Sequence, residues 1–169
     1  PATAGLLIAS EEIVSSLFGY GSFNQEGVEN SAKALFYFAL GLPAFSLIKI
    51  LSNFVFARDN TKIPFYFSLI SVIINACISI YYFRDFGFIV IPIATSISSW
   101  INAFLLYYYL NNKKFFKLSL KLMLQLFKIC FSVLLMALFF FTSTNFFSVQ
   151  LEYNSNFKVV YLLLLVILS

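Results

Sequence analysis

Residues 41–64, GLPAFSLIKILSNFVFARDNTKIP, indicate the fold class more clearly than any other segment. This stretch begins as an apolar helix with Pro43 near its start, and it ends in a short charged turn. Lys49 lies inside the apolar part, nine residues before Arg58, which is about 13 Å along a helix axis at about 1.5 Å per residue. A lysine at that depth indicates either a polar cavity or a side chain that reaches back to the membrane surface.

The composition is typical of a membrane protein. Of the 169 residues, 61% are hydrophobic and 11% are charged, against about 25% charged residues in an average soluble domain. The net charge of +4 is small, so nucleic acid is not an expected partner. We therefore expect an all-α fold, a polytopic transmembrane helix bundle of about five full spans and a truncated sixth. The last apolar run, 159–168, is too short to cross a bilayer, which predicts a fragment of a longer protein.

Patterns that support catalysis or metal binding are missing from the sequence. There is no histidine, and Cys77 and Cys130 both fall inside apolar segments. This excludes a His/Cys metal site and a Ser–His or Cys–His catalytic pair within the chain. No Walker loop or dinucleotide-binding glycine pattern is present. We expect no metal, no cofactor and no enzymatic activity.

Six apolar segments follow one another along the chain. Their predicted bounds are 1–18, 32–56, 64–82, 88–110, 118–141 and 159–169. The connections are predicted at 19–31, 57–63, 84–87, 111–121 and 142–158. Either Asn30 or Ser31 is expected to cap the second helix, and Pro43 predicts a kink in it because proline removes one backbone hydrogen bond.

Polar side chains recur at helical spacing on these segments. Ser46, Lys49 and Asn53 share one face of the second segment. Asn75 and Asn102 stand among serines and threonines on the third and fourth, where small hydroxylated residues are typical of close helix packing. Because amides are harder to bury than hydroxyls, Asn75 and Asn102 are candidates for a shared polar interface or a cavity wall. Together the five residues Ser46, Lys49, Asn53, Asn75 and Asn102 form what we call the polar set. Such stripes favour a transporter, whose substrate does not follow from the residues.

Two acids interrupt the first segment. Glu11 and Glu12 would each cost roughly 2.5–3.5 kcal/mol inside a spanning helix on insertion scales. Either this part of the helix lies near the interface or against other helices, or these are intramembrane acids that face a wet cavity.

The loop charges predict an orientation. The turns 57–63 and 111–121 hold six lysines and arginines, whereas the loops on the other side hold two, offset by four acids. The positive-inside rule therefore places 57–63 and 111–121 in the cytoplasm.

The central stretch resembles a family signature. It is similar to the GLPAFxLxKVL helix and the YARxDTxTP turn of the MurJ (MviN) lipid II flippases, members of the MOP exporter superfamily. Further stretches agree in order: LFGYGSF at 17–23, the asparagine at Asn75, and ATSISSWINAFLLYYYL at 94–110. The resemblance covers about residues 1–112, and beyond it only the helix count and hydropathy agree.

The resemblance implies the C-terminal half of a protein with two helical lobes and an extra C-terminal helix pair. Residues 1–112 would belong to the transport lobe and 113–169 to the pair, whose last helix is truncated. Such proteins carry a lipid-linked peptidoglycan precursor, lipid II, from the cytoplasmic to the periplasmic leaflet by alternating access. This implies a multi-pass protein of the bacterial inner membrane, with membrane lipids and cell-wall synthesis proteins as further partners.

The resemblance also implies roles for single residues. Lys49 would add positive potential to the central cavity, and the other members of the polar set would line or brace it. Arg58, Asp59 and Lys62 would form a cytoplasmic gate or an orientation turn. Two alternatives stay open: a related exporter of another polyprenyl-linked saccharide or a small cation, and a non-transporting membrane scaffold.

Overall fold

The computed structural model describes residues 2–18, 24–113 and 120–146, which are almost entirely helical. The helices are α1 (Ala2–Ile8), α2 (Ser10–Phe18), α3 (Gln25–Phe56), α4 (Lys62–Phe86), α5 (Val90–Asn112) and α6 (Leu120–Phe146), with a 3₁₀ turn at Gly87–Ile89. Within these ranges no strand occurs, and the predicted all-α fold is confirmed.

Several of the helices are long and apolar enough to cross a membrane. By length and composition, the candidate segments in the described part are Gln25–Phe56, Lys62–Asn112 and Leu124–Ser143. The middle one has 51 residues because it joins α4 and α5, which have 25 and 23 residues and pack against each other. α4 and α5 are each longer than the roughly 20 residues that a span requires. A multi-pass helical membrane protein is confirmed, the number of spans stays a prediction, and the sixth segment lies outside the described residues.

The chain reverses between α4 and α5 at Gly87. Its φ is +59°, in the left-handed region that glycine adopts without a Cβ clash, and its N–H donates to Phe83 O. The helix therefore continues to Phe86, and the turn predicted at 84–87 is wrong. Arg84 stays in the last turn of α4, where the helix dipole favours a cation.

The start of α3 also differs from the prediction. Asn24 Oδ1 accepts a hydrogen bond from Gly27 N at 2.9 Å, which is the N-cap pattern. The predicted caps, Asn30 and Ser31, lie inside the helix, so that prediction is wrong. The physical reason is the burial of Val28, which belongs to a cluster with apolar side chains of α2 and α3 and draws the polar stretch into the helix.

At its other end, α6 runs past the predicted boundary at Phe141 and ends at Phe146. Thr142, the first residue of the predicted loop, is helical, and its Oγ1 lies 3.0 Å from Leu138 O and 2.9 Å from Phe139 O. The hydroxyl finds acceptors in its own helix, so it does not force the helix to end. The remainder of that predicted loop lies outside the described residues.

The first predicted segment is divided into α1 and α2 by a bend at Ala9. Backbone hydrogen bonds continue across the bend, from Ala9 N to Gly5 O at 3.0 Å and from Ile13 N to Ala9 O at 2.9 Å. Glu11 is exposed and Glu12 is half-buried in the first turn of α2, where the helix dipole favours acids. The role of these acids in a wet cavity stays a prediction.

The chain forms two compact units. The first contains α1, α2, the start of α3 up to Phe36, and α6, and α1 packs against α6 within it. The second contains α3 from Tyr37 onward, α4 and α5. The core of the second unit is built by Leu51, Val55, Leu106 and Leu110. This unit positions the polar set, while the predicted boundary between residues 112 and 113 stays a prediction.

Candidate functional site

Side chains of α5 bind backbone carbonyls of α3 just before its proline. Ser96 Oγ donates to Tyr37 O, and Trp100 Nε1 donates to Leu40 O at 3.1 Å. Because Pro43 has no N–H, α3 loses one internal hydrogen bond in this region. These contacts attach α3 to α5 where its own ladder is weakest. The helix assignment is continuous through Pro43, and the predicted kink stays a prediction.

A polar ladder joins α4 to α5. Its hydrogen bonds run from Asn102 Nδ2 to Ser68 Oγ at 3.5 Å, from Ser71 Oγ to Ser98 O, and from Asn75 Nδ2 to Thr95 Oγ1 at 3.2 Å. Residue numbers rise on α4 as they fall on α5, so the two helices are antiparallel. The polar stripes of two neighbouring segments therefore meet in one interface.

Asn75 is the most fully bonded member of the ladder. Its Oδ1 accepts from Ser79 Oγ at 3.1 Å, in addition to the bond from its Nδ2 to Thr95. Thr95 Oγ1 in turn donates to Ile91 O at 2.8 Å. The amide is thus held at both ends, which fixes its orientation at the helix contact.

A groove of about 280 Å³ opens along this ladder. Besides the ladder residues it is lined by Ser99, Val72 and two apolar side chains of α3, Phe45 and Ile48. Asn102 is only 6% exposed, and its Oδ1 has no hydrogen-bond partner among the residues that the structure describes. The groove therefore presents hydroxyls and amides, without a charged group among its lining residues.

The polar face of α3 points away from the packed side of that helix. Ser46, Lys49 and Asn53 are exposed, whereas Leu51 and Val55 belong to the buried cluster. At about 100° per residue, the three polar positions lie nearly opposite that buried side. The exposed polar face, defined by these three residues, is therefore separate from the α4–α5 groove.

The structure brings together two of the five residues in the polar set. Asn75 and Asn102 line one groove, and the remaining three form the exposed polar face. The sequence did not indicate that Phe45 and Ile48 of α3 line this groove. Nearly all residues of this segment are apolar, so nothing in the sequence distinguishes these two side chains from those that face lipid.

The turn between α3 and α4 contains two of the predicted gate residues, Arg58 and Asp59, and the third, Lys62, is the first residue of α4. Asp59 has a φ of +56°, which is uncommon for a residue with a Cβ. Asn60 Oδ1 accepts from Ile63 N at 3.4 Å and so ties the turn to the start of α4. Arg58 and Lys62 are exposed. The turn begins where it was predicted, but it ends at Thr61 rather than Ile63 because α4 already starts at Lys62. The role of these residues as a gate stays a prediction.

A second cavity, of about 220 Å³, lies where α3 and α5 end. It is lined by Val55, Arg58, Asn60, Tyr109 and Lys113. Asn60 Nδ2 donates to Tyr109 OH at 3.5 Å, a contact between positions far apart in the chain. No pattern in the sequence indicates this pairing, because each residue stands alone at a helix end.

The site has no metal-binding pattern in the described ranges, where no group of three or more His, Cys, Asp or Glu could hold an ion. What the residues provide is a set of neutral hydrogen-bonding groups in one groove and a single ammonium on another face. Several apolar helices of spanning length define the class: a multi-pass membrane protein.

Comparison with known proteins then gives the family. A family model described as Lipid II flippase MurJ matches residues 1–162. Since the match covers nearly the whole chain, the chain belongs to the MurJ lipid II flippase family.

Relatives from different bacteria agree with this assignment. A probable lipid II flippase MurJ of Rickettsia prowazekii (strain Madrid E) is 38% identical over 135 residues, which are 80% of this chain and 26% of the relative. One of Thermotoga maritima is 39% identical over 98 residues, 58% of this chain and 21% of the relative. The chain therefore spans about a quarter of the length of the relatives it matches. Its place within them stays a prediction.

A solved structure supports the fold. A lipid II flippase MurJ in an inward closed conformation aligns with a TM-score of 0.76 and 23% sequence identity. The alignment covers 99% of this chain and 33% of that one.

Proposed function

We propose that the full-length protein with this chain moves lipid II from the cytoplasmic to the periplasmic leaflet of a bacterial inner membrane by alternating access. The observation that carries the proposal is the family match over residues 1–162. The protein acts as a transporter rather than an enzyme, because lipid II changes its leaflet and not its bonds. Membrane lipids and cell-wall synthesis proteins are its further proposed partners.

The exposed polar face of α3 is the proposed contact with the substrate headgroup. An ammonium in a spanning helix is retained where water or a partner solvates it. Lys49 is exposed, and Ser46 and Asn53 continue the same polar face on either side. A positive charge in such a wet path attracts a phosphate-bearing headgroup, while the polyprenyl tail stays in lipid.

The α4–α5 groove has a different proposed role. Asn75 and Asn102 line it without a charged neighbour among the lining residues. Neutral amides in a helix contact hold the two helices in register. We therefore assign Asn75, which is bonded at both ends, to bracing the wall of the path, Asn102 to lining it, and Lys49 to the charge that meets the substrate.

A complementation experiment tests both parts of the proposal. Cells depleted of their own flippase receive the full-length protein as wild type, Lys49→Ala, Lys49→Arg or Lys33→Ala. Lys33 is the matched control because it is exposed on the same helix but outside the polar face. We expect rescue by wild type and Lys33→Ala, loss with Lys49→Ala at normal membrane levels, and partial recovery with Lys49→Arg.

Two results would contradict the proposal in different ways. Rescue by Lys49→Ala at the wild-type level would remove Lys49 from the site and leave the activity standing. An inserted wild-type protein that fails to rescue would reject lipid II transport itself.

A further inference from the structure

We propose that the cavity at the ends of α3 and α5 binds the phosphate group of an anionic membrane lipid. We call it the turn cavity; its lining residues are Val55, Arg58, Asn60, Tyr109 and Lys113. None of its lining residues belongs to the exposed polar face or to the α4–α5 groove. The lipid that we place in the turn cavity is therefore not the transported one.

The charge of the turn cavity favours an anion. Arg58 and Lys113 line it, and no acid is among its lining residues in the described part of the chain. A guanidinium presents five N–H donors in a planar fork that fits two phosphate oxygens, and an ammonium presents three donors. The backbone of Lys113 is fixed at the end of α5, where its main-chain N–H donates to Tyr109 O at 3.1 Å. Two cationic residues from different elements therefore line one cavity.

The neutral groups of the turn cavity are positioned before any ligand arrives. The Asn60 side chain makes a hydrogen bond at each end of its amide. Its Oδ1 accepts from Ile63 N at 3.4 Å, and its Nδ2 donates to Tyr109 OH at 3.5 Å. The Tyr109 ring packs edge-on against Phe67, with 6.2 Å between the ring centres. Because the phenol oxygen accepts from Asn60, its own hydrogen can be donated to a ligand oxygen. Donors held in this way lose little entropy on binding.

The position of the turn cavity in the fold favours a lipid as the source of the phosphate. On one side it meets Val55, which packs with Leu51, Leu106 and Leu110 in the apolar core. On the other side it meets the charged turn. Such a boundary between apolar and basic residues is the depth of lipid headgroups, and the predicted orientation places it on the cytoplasmic leaflet, where anionic lipids attract basic segments.

A binding experiment with the full-length protein in neutral detergent tests the inference. The probes are dioctanoyl phosphatidylglycerol, dioctanoyl phosphatidylcholine with the same acyl chains, and inorganic phosphate, measured by calorimetry. We expect phosphatidylglycerol to bind more tightly than phosphatidylcholine, and inorganic phosphate at equal concentration to leave it bound. Each of Arg58→Gln and Lys113→Gln should weaken phosphatidylglycerol binding about tenfold, since each removes a charge-assisted hydrogen bond. Arg84→Gln, at the exposed end of α4, removes the same charge elsewhere and should change nothing.

Three results would overturn the inference. Unchanged affinity in Arg58→Gln and Lys113→Gln would show that the lipid binds elsewhere. An equal loss in Arg84→Gln would show that net charge alone attracts the lipid. Displacement of phosphatidylglycerol by equimolar inorganic phosphate would assign the cavity to a dissolved anion. If Arg58→Gln fails to fold, Tyr109→Phe carries the test with Lys113→Gln, because it removes only a hydroxyl and should weaken binding severalfold.

Discussion

A Cβ added to Gly41 would lie 2.9 Å from Ser96 Oγ and 3.3 Å from Ser96 Cα. α3 and α5 therefore meet at Gly41, where α3 has no room for a side chain. The same approach brings Ser96 Oγ to the carbonyl of Tyr37. Small residues serve helix contacts in membranes in this way, because they let backbones come close.

Gly41→Ala is expected to destabilise the full-length protein. Overpacking a tight contact costs about 1–3 kcal/mol, which outweighs the about 1 kcal/mol that alanine adds to a helix. Thermal unfolding in detergent measures the change. The matched control is Gly5→Ala in α1, where a Cβ would meet nothing within 4 Å. A Gly41→Ala protein that melts at or above the Gly5→Ala protein would contradict the close approach.

The bond between Asn75 and Thr95 should appear as a coupling energy. In a double-mutant cycle with Asn75→Ala and Thr95→Val, we expect the two changes to be coupled by about 0.6 kcal/mol, as for other hydrogen bonds between membrane helices. Thr95→Val also removes the bond to Ile91 O, but the cycle cancels that loss. Unfolding in denaturant gives the free energy of unfolding of the wild type, the two single variants and the double variant. Additive effects of the two changes would show that the bond at 3.2 Å contributes nothing.

Asn102 provides a test of a buried polar group. Its Oδ1 lacks a partner in the described part of the chain, and its Nδ2 makes one long bond to Ser68. We expect Asn102→Leu to leave stability unchanged or higher, since an apolar group of similar shape removes the unpaired oxygen. Asn102→Asp, which buries a charge instead, should cost about 3 kcal/mol or more. A loss with Asn102→Leu as large as with Asn102→Asp would mean that the amide has a partner.

The start of α3 depends on its cap. Asn24→Ala should cost about 1 kcal/mol, and Asn24→Asp should retain most of the stability because aspartate also caps. Hydrogen exchange of the amides at 25–28 reports the change where it occurs. Asn30→Ala is the control, because Asn30 lies inside the helix. Rapid exchange of these amides already in the wild type, unchanged by Asn24→Ala, would restore the boundary expected from the sequence.

The sequence predicts the interior of the fold well. Long apolar runs have few alternatives to helices in a membrane, because every backbone polar group must be bonded within the chain. Asn75 and Asn102 stand on polar helix faces, and the structure places both in one groove. Their part in a substrate cavity stays a prediction.

The ends of helices and the contacts between them are harder to predict. Val28 extends α3 through a polar stretch by its burial, and Thr142 stays helical through bonds to its own carbonyls. The contact of Trp100 with Leu40 O joins a side chain to a backbone atom, which no residue pattern encodes. The exposed polar face is separate from the groove because the opposite side of α3 packs against its neighbours. Both sides of that helix are largely apolar in sequence, so the sequence does not show which side packs.

We propose that the exposed polar face of α3 borders a water-filled path, and thiol labelling measures whether water reaches it. Every cysteine of the full-length protein, Cys77 and Cys130 included, is replaced by alanine, and Lys49→Cys in this background is treated with a membrane-impermeant charged reagent in vesicles of both orientations. The control is Ile80→Cys, because Ile80 is 79% exposed on an apolar part of α4 that should face lipid. We expect position 49 to react, position 80 to stay unlabelled, and lipid II to slow the reaction at 49. Equal resistance of both positions to the reagent would contradict the claim.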